Sequence, residues 1–175
     1  MNEASKVLTD FGKKLYIKVH VSSNQNHKEY GNFNFLPSYA NKDVGVLPHT
    51  VFFYGLEDDI APMYGQKNFK NIKSFMAEEH KKKRDIIYYP ETSYFIGMDI
   101  DIPLLLTDYL VARHEDLQSL QGLGVSKQVN FTTGMELGYW LFDWSLALMA
   151  NSKSCLLYTS PSPRDATLSR MPSSA

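Results

Sequence analysis

The chain of 175 residues carries 18 lysines and arginines against 19 aspartates and glutamates, for a formal net charge of −1. A nearly neutral chain gives no electrostatic reason to expect a nucleic-acid partner, because proteins that bind nucleic acid neutralise phosphates with clustered lysine and arginine. The sequence also lacks an apolar run long enough to cross a bilayer, so we expect no membrane partner. Its length is sufficient for one hydrophobic core.

The carboxyl-terminal residues 155–175 differ in character from the rest of the chain. They are rich in serine and proline and show no hydrophobic periodicity. Residues 155–165 resemble a translated transposase-library sequencing adapter, and residues 169–175 resemble the adapter flank beyond the sample index. We therefore expect 155–175 to be a non-native, disordered tail, and 1–154 to be a partial domain truncated at its carboxyl end and open to truncation at its amino end. The single cysteine falls in this tail, so cysteine usage says nothing about the cellular compartment.

The first half of the chain alternates two predicted strands with loops and short helices. Residues 3–11 indicate the last turns of a helix, and residues 14–22 alternate strictly between apolar and polar side chains, which predicts a strand. Residues 24–31 are polar and predict a loop. Residues 33–40 predict a short, irregular helix that contains a proline. The apolar residues 46–54 predict a second strand that is buried on both faces.

A helix and a third strand follow an acidic loop. Residues 68–83 carry apolar side chains at helical spacing, and we interpret the basic run 81–84 that closes this helix as a solvated helix end. Residues 86–89 predict a short third strand. Pro90 lacks a backbone donor, so we expect it to end that strand and to place Glu91 just beyond it.

The second half of the chain repeats the strand–helix order. Residues 102–120 predict a long helix, residues 128–131 predict a fourth short strand, and a fourth helix runs to about residue 150. Strands that alternate with helices form a parallel sheet. We expect the fold class to be α/β, with an incomplete (β/α)8 (TIM-like) barrel favoured over a doubly wound open sheet.

Two observations favour the barrel. The first predicted strand places Tyr16, Lys18 and His20 on one face, which suits a barrel lumen better than a face covered by a helix. No predicted strand is followed by a glycine-rich phosphate loop of the kind found in open nucleotide-binding sheets, so we expect no cofactor.

Polar side chains and carboxylates follow the predicted strand ends, where the sites of parallel α/β proteins lie. Carboxylates framed by aromatic rings suit a carbohydrate or another small polar ligand, because sugar faces stack on rings and glycoside cleavage requires two carboxyl groups. Glu91 is our candidate for the acid/base, and Glu136 is our candidate for the nucleophile or stabilising carboxylate. The candidate substrate-binding residues are His20, Tyr54, Glu57, Tyr89, Tyr94, Asn130 and Trp140.

Two stretches of sequence also carry a resemblance. The run Tyr-Tyr-Pro-Glu-Thr-Ser-Tyr-Phe (88–95) and the run Gly-Met-Glu-Leu-Gly-Tyr-Trp-Leu-Phe-Asp-Trp (134–144) together resemble the strand-end signatures of (β/α)8-barrel glycoside hydrolases. The resemblance covers about residues 85–145 and identifies no particular family within that group. It implies a barrel in which paired carboxylates hydrolyse a glycosidic bond, although we expect the fragment to be inactive by itself.

Several of these residues also have a purely structural interpretation. Glu136 follows Thr133 at the spacing of a capping box, which would stabilise the start of the fourth helix instead of serving a site. Trp140 is one helical turn from Trp144, a spacing that is more common in helix cores than in sugar platforms. Glu57 lies in an acidic turn that water would solvate.

Two alternative functions follow from the sequence. One is a non-catalytic barrel domain that binds a ligand or a partner through its aromatic face. The other is a metal-dependent hydrolase using His20, with His49 near the second predicted strand; because their spacing matches no metal-binding motif, we assign no metal site. An incomplete barrel has unpaired sheet edges, so we expect the fragment to self-associate through them.

Overall fold

A parallel sheet with helices packed against one face organises the chain. The computed structural model describes residues 1–20, 25–51, 54–93, 107–132 and 136–151. Its helices and strands, in chain order, are α1 (Asn2–Asp10), β1 (Tyr16–Val19), β2 (Asn26–His27), β3 (Gly31–Asn32), a 3₁₀ helix (Phe33–Tyr39), β4 (Gly45–Thr50), α2 (Lys70–Lys81), β5 (Tyr89–Ser93), α3 (Thr107–Gly122), β6 (Phe131–Thr132) and α4 (Glu136–Asn151).

Strands β1, β4, β5 and β6 form one sheet in that spatial order, and each pairs with its neighbour in parallel. The order of these strands in space therefore equals their order along the chain. Strands β2 and β3 form a separate antiparallel hairpin that begins in the predicted loop 24–31 and extends one residue beyond it. The α/β class with a parallel sheet is confirmed, and the predicted tail 155–175 lies outside the described residues.

One face of the sheet carries the hydrophobic core. Val19 of β1, Val46 of β4 and Tyr88 just before β5 pack in one cluster with Ile72 and Met76 of α2, and all five side chains are buried. Burying an aliphatic side chain of this size stabilises the folded state by about 1.5–3 kcal/mol. The cluster is therefore a main source of stability for the sheet and the helix layer.

A second cluster joins α3 to α4. Tyr139, Phe142 and Met149 recur at helical spacing along α4 and pack with Tyr109 and Leu110 of α3. This apolar stripe fixes the angle at which α4 meets its neighbour. It also determines which side of α4 is left to solvent.

The opposite face of the sheet carries a different set of side chains. Residues paired in register on parallel strands lie on the same side of the sheet, and successive residues of a strand alternate between sides. The register pairs Lys18–Leu47, His49–Tyr89 and Glu91–Phe131 therefore share the side that faces away from the core. We call these six residues the site face: Lys18, Leu47, His49, Tyr89, Glu91 and Phe131.

The prediction that Pro90 ends the third strand is wrong. Pro90 lies within β5 and pairs with Thr50 of β4. The backbone N–H of Ile87 donates to β4, and that of Tyr88 donates to the segment before β6. The N–H groups of successive strand residues alternate between the two neighbouring strands, so the N–H that Pro90 lacks would have pointed towards β6. The register on that side shifts between Glu91 and Ser93, and β4 loses no hydrogen bond. Glu91 consequently belongs to the strand itself.

The interpretation of residues 81–84 as a solvated helix end fails for Arg84. Helix α2 ends at Lys81, and the three lysines of this run are exposed. Lys83 then takes the left-handed backbone conformation with φ of 61°, which reverses the chain and turns Arg84 inwards. Arg84 is buried and forms an ion pair with the buried Glu79.

Candidate functional site

The centre of the site face is a buried pair formed by His49 and Glu91. His49 is 0% exposed and Glu91 is 4% exposed. His49 Nε2 lies 2.9 Å from Glu91 Oε1, and His49 Nδ1 lies 2.8 Å from the backbone oxygen of Tyr89. A carbonyl oxygen can only accept a hydrogen bond, so Nδ1 is the donor in the second contact. The tautomer of His49 is thus fixed by the backbone of the neighbouring strand.

Aromatic rings surround His49. The ring centroid of His49 lies 5.3 Å from that of Tyr89 and 5.6 Å from that of Phe131. On the other side it lies 5.1 Å from His20, which follows directly after β1 and meets Tyr64 edge-on at 5.0 Å. Tyr64 holds a left-handed backbone with φ of 51°, a strained conformation of the kind that concentrates at functional sites. These rings form the walls around the pair.

Lys18 contributes a cation to the same face. Its Nζ lies 5.6 Å from the ring centroid of Tyr89 and 5.3 Å from that of Phe131. Burial lowers the pKa of Lys18, and the Glu91 carboxylate partly opposes this. Burial and the same carboxylate raise the pKa of Tyr89. The charges of Lys18 and Glu91 therefore influence one another across the aromatic floor.

The helix layer holds the backbone of Glu91 in place. Tyr109 of α3 is buried and donates its hydroxyl to the backbone oxygen of Glu91. Burial raises the pKa of Tyr109, so its hydroxyl keeps its proton as a donor. Phe142 of α4 packs edge-on against Tyr109, with ring centroids 5.3 Å apart. The position of Glu91 is thus fixed from both sides of the sheet.

A second buried network lies on the core side, where β4 ends. Arg113 of α3 donates from Nη1 to Thr50 Oγ1 and to the Tyr88 hydroxyl, both at 2.9 Å, and from Nη2 to the backbone oxygen of Tyr54. The Tyr88 hydroxyl in turn donates to Asp116 Oδ2 at 2.5 Å. Burial raises the pKa of Asp116, and the Arg113 guanidinium opposes that rise. The network joins α3 to the last residue of β4 and to the residue just before β5.

The same network anchors the loop that leaves β4. The backbone N–H of Leu56 donates to Asp116 Oδ1 at 2.6 Å, and that of Gly55 donates to Asp58 Oδ2 at 2.7 Å. A Cβ on Gly55 would lie 3.2 Å from Asp116 Oδ1, so the close approach favours glycine here. This arrangement keeps the carboxyl edge of β4 rigid beside His49.

The structure brings three of the sequence-predicted residues together. His20, Tyr89 and Glu91 meet around His49. Tyr54 contributes its backbone oxygen to Arg113, and its half-buried side chain packs against the hydrophobic core.

Other predicted residues lie elsewhere or outside the described residues. Glu57 is exposed, and Lys73 of α2 donates to its Oε1 at 2.6 Å; hydrogen bonds from Lys73 and Ser119 lower its pKa. Asn130 accepts a hydrogen bond from Gln128 at 2.6 Å. Tyr94, Thr133 and the side chain of Glu136 lie outside the described residues.

Trp140 lies on the solvent side of α4. It is 49% exposed and Trp144 is 56% exposed, with ring centroids 6.3 Å apart. The interpretation of this pair as a core stripe is therefore wrong, because Tyr139 and Phe142 occupy the buried side of the helix instead.

The sequence interpretation missed the role of His49. A histidine inside the apolar predicted strand 46–54 was a signal, because a polar side chain in a buried strand needs a hydrogen-bonding partner. The partner could not be identified from sequence, since it depends on the register between β4 and β5. Phe131 joins the site face for the same reason, whereas Lys18 already lies on the predicted lumen face of the first strand.

Within the part of the chain that the structure describes, no three His, Cys, Asp or Glu side chains are grouped so that they could hold a metal ion. No helix among the described residues is both long and apolar enough to cross a membrane. Comparisons of the chain with protein-family models, with curated proteins and with solved structures found no match. The chemistry of the site face is therefore what indicates a function.

Proposed function

We propose that this chain is part of a (β/α)8 barrel that binds a carbohydrate and, in its full-length form, hydrolyses a glycosidic bond. The barrel is supported by the parallel strands that follow one another in chain order, since an open doubly wound sheet reverses its strand order. It is also supported by the two sides of the sheet. Core residues and helices occupy one side, and the site face on the other has the aromatic and polar character of a barrel lumen.

The observation that carries the proposed chemistry is the placement of Glu91. Its carboxyl group is buried at the middle residue of β5, bonded to His49 and beside the rings of Tyr89 and Phe131. Aromatic faces bind the C–H faces of sugars, and a buried carboxyl group is suited to protonate a leaving glycosidic oxygen. Glu91 is the acid/base in this proposal.

Glu136 is the second carboxylate of the proposal. It is the first residue of α4, and β6, the strand that precedes α4 in the sequence, pairs with β5 at Glu91. In a retaining enzyme the two carboxyl groups lie about 5–5.5 Å apart and the second is the nucleophile; in an inverting enzyme they lie about 6.5–9.5 Å apart and the second activates water.

The test combines binding with turnover. The chain is titrated calorimetrically against a panel of neutral oligosaccharides, and hydrolysis of aryl glycosides is measured on the full-length protein. Tyr89→Ala should weaken binding about 10-fold, the loss expected when a stacked ring is removed. Glu91→Gln should keep binding and abolish hydrolysis, and Glu115→Gln, on the exposed side of α3, is the matched control. Absence of both glycan binding and hydrolysis would refute the proposal.

A second candidate function is a barrel domain that binds a ligand without catalysis. It is favoured by the near-complete burial of Glu91, because a buried carboxyl group needs a path to its substrate. Saturable glycan binding by a full-length protein that hydrolyses none of the glycosides would select this alternative. Retention of one divalent ion per chain after dialysis, lost in His20→Ala, would instead favour the metal-dependent hydrolase.

A further inference from the structure

We infer that His49 and Glu91 act as a one-proton dyad, in which His49 is the positioning residue that keeps a transferable proton on the Glu91 side of the site. The role of that proton in catalysis rests on the proposed glycoside hydrolysis. The sharing of the proton does not rest on that proposal, because it follows from the hydrogen bonds and the burial of the pair.

The backbone of β5 fixes the tautomer of His49. Nδ1 carries a proton because it faces the backbone oxygen of Tyr89 at 2.8 Å. In a neutral ring Nε2 would then offer only a lone pair. An ionised carboxylate also offers only lone pairs, so Nε2 and Glu91 Oε1 would be two acceptors 2.9 Å apart.

Burial makes that unprotonated arrangement costly. The side chains of His49 and Glu91 are 1% and 5% exposed, so water can do little to relieve the repulsion. One proton between Nε2 and Oε1 removes the conflict, either as a carboxylic acid bonded to imidazole or as a carboxylate bonded to imidazolium. Both forms have zero net charge, and they differ only in the position of the proton.

The groups that face the pair leave this proton in place. Tyr89 on β5 and Tyr109 on α3 have raised pKa values, mainly from burial, and therefore remain neutral. His20 and Tyr64 supply rings from the segment after β1 and the loop before α2. Lys18 is a cation on the same side of the sheet; its side chain is exposed, so water screens its pull on the carboxylate.

The dyad supplies a balanced pair of proton transfers. In the first, the dyad proton passes to the glycosidic oxygen as the C–O bond breaks; the electron pair of that bond stays on the oxygen, and the sugar carbon is left as an oxocarbenium ion. This leaves the unfavourable pair of facing acceptors, which is a strong base. In the second, a water molecule adds its oxygen to the sugar carbon and returns a proton to the dyad. The sum is hydrolysis, with the dyad restored.

The test observes the proton directly. Nuclear magnetic resonance spectra of the chain labelled with 15N and 13C report which ring nitrogens of His49 are protonated and whether Glu91 is ionised. At about pH 7 we expect one strongly downfield, exchangeable proton bonded between the two residues. It should vanish in Glu91→Gln and in His49→Gln, and persist in His80→Gln, whose histidine is exposed at the end of α2. A neutral His49 ring beside an ionised Glu91 would overturn the dyad.

A kinetic arm separates this inference from the proposed function. His49→Gln can donate an amide hydrogen bond to Glu91 and hold it in place, but it cannot share a proton. For glycoside hydrolysis by this variant, we expect a kcat at least about 100-fold lower than that of the unchanged protein, with little change in KM and an altered pH profile. A loss in kcat that is fully explained by a smaller folded fraction of the variant, with an unchanged pH profile, would mean that His49 has only a structural role. That result would overturn the inference. Detection of the dyad proton in a protein that hydrolyses no glycoside would refute the proposed function and leave the dyad intact.

Discussion

The sharpest stability prediction concerns Arg84, which ties the amino edge of the sheet to the segment after the 3₁₀ helix. Its Nε donates to Glu79 Oε2, and its two Nη atoms donate to the backbone oxygens of Asn41, Val44 and Ala40 at 2.7–2.9 Å. Arg84→Met removes all of these donors and keeps a side chain of similar length. It leaves the carboxylate of Glu79, which is 0% exposed, without its buried cation.

The expected cost can be bounded from the structure. Removing one partner of a buried ion pair typically costs about 3–5 kcal/mol, because the other charge stays buried without compensation. Small domains are stable by about 5–15 kcal/mol, so this variant should lose a large share of its free energy of unfolding. Lys82→Met is the matched control: Lys82 donates to the other oxygen of Glu79 at 2.7 Å, but its side chain is 50% exposed. A pair with one solvated partner is worth at most about 1 kcal/mol.

Urea unfolding followed by circular dichroism measures both variants. The double variant Arg84→Met/Glu79→Gln should recover part of the loss, because the buried carboxylate has been neutralised. If Arg84→Met and Lys82→Met changed the free energy of unfolding equally, burial would not be what makes the Arg84 contact valuable. The reasoning would also fail if the double variant were less stable than Arg84→Met.

Three further outcomes are expected. Tyr88→Phe should lower the free energy of unfolding by about 1–3 kcal/mol, because the lost hydroxyl leaves buried partners unsatisfied; Tyr89→Phe, at a half-buried position, should change it by less than about 0.5 kcal/mol in the same urea titration. Burial would raise the pKa of Asp85, but hydrogen bonds from Tyr16 and two lysines outweigh it and lower that pKa. The contribution of Asp85 to stability is therefore present above about pH 4 and lost as the pH falls further. Asp85→Asn should make the free energy of unfolding less dependent on pH below that value. If the proposed incomplete barrel is right, the purified chain should sediment as a dimer or larger species through the outer strands β1 and β6; a monomer at every loading concentration would contradict that proposal.

Local patterns predicted the layers of the fold well. Alternation over residues 14–22 contains β1, and helical spacing over residues 68–83 contains α2. Both signals are strong because each element buries one side, which leaves a period in the sequence. The prediction for Pro90 failed because it applied a local rule to a position whose missing donor faces the irregular side of the strand.

The candidate site was predictable only in part. Glu91 stands out in the sequence because an acidic residue follows a run of apolar and aromatic residues, and in the structure its carboxyl group is buried on the site face. His49 lies 42 positions earlier, and nothing in its own neighbourhood identifies Glu91 as its partner. Arg84 shows the same limit, since it ends a run of exposed lysines and only the turn at Lys83 directs it into the core. Long-range register and single backbone angles determine these contacts, and composition does not record either of them.

The chemistry of the buried ion pairs explains why the site face, and not another charged cluster, is the candidate functional site. Among the residues that the structure describes, pairs with both partners buried are Arg84 with Glu79, Arg113 with Asp116, and His49 with Glu91. An arginine keeps its proton at any pH at which a protein folds, so the cations of the first two pairs have one charge state. Their guanidinium groups hold loops and helices in place and do not give up a proton. Histidine can gain or lose a proton near neutral pH, and the His49–Glu91 pair can therefore move one without breaking the contacts that hold the sheet to its helices.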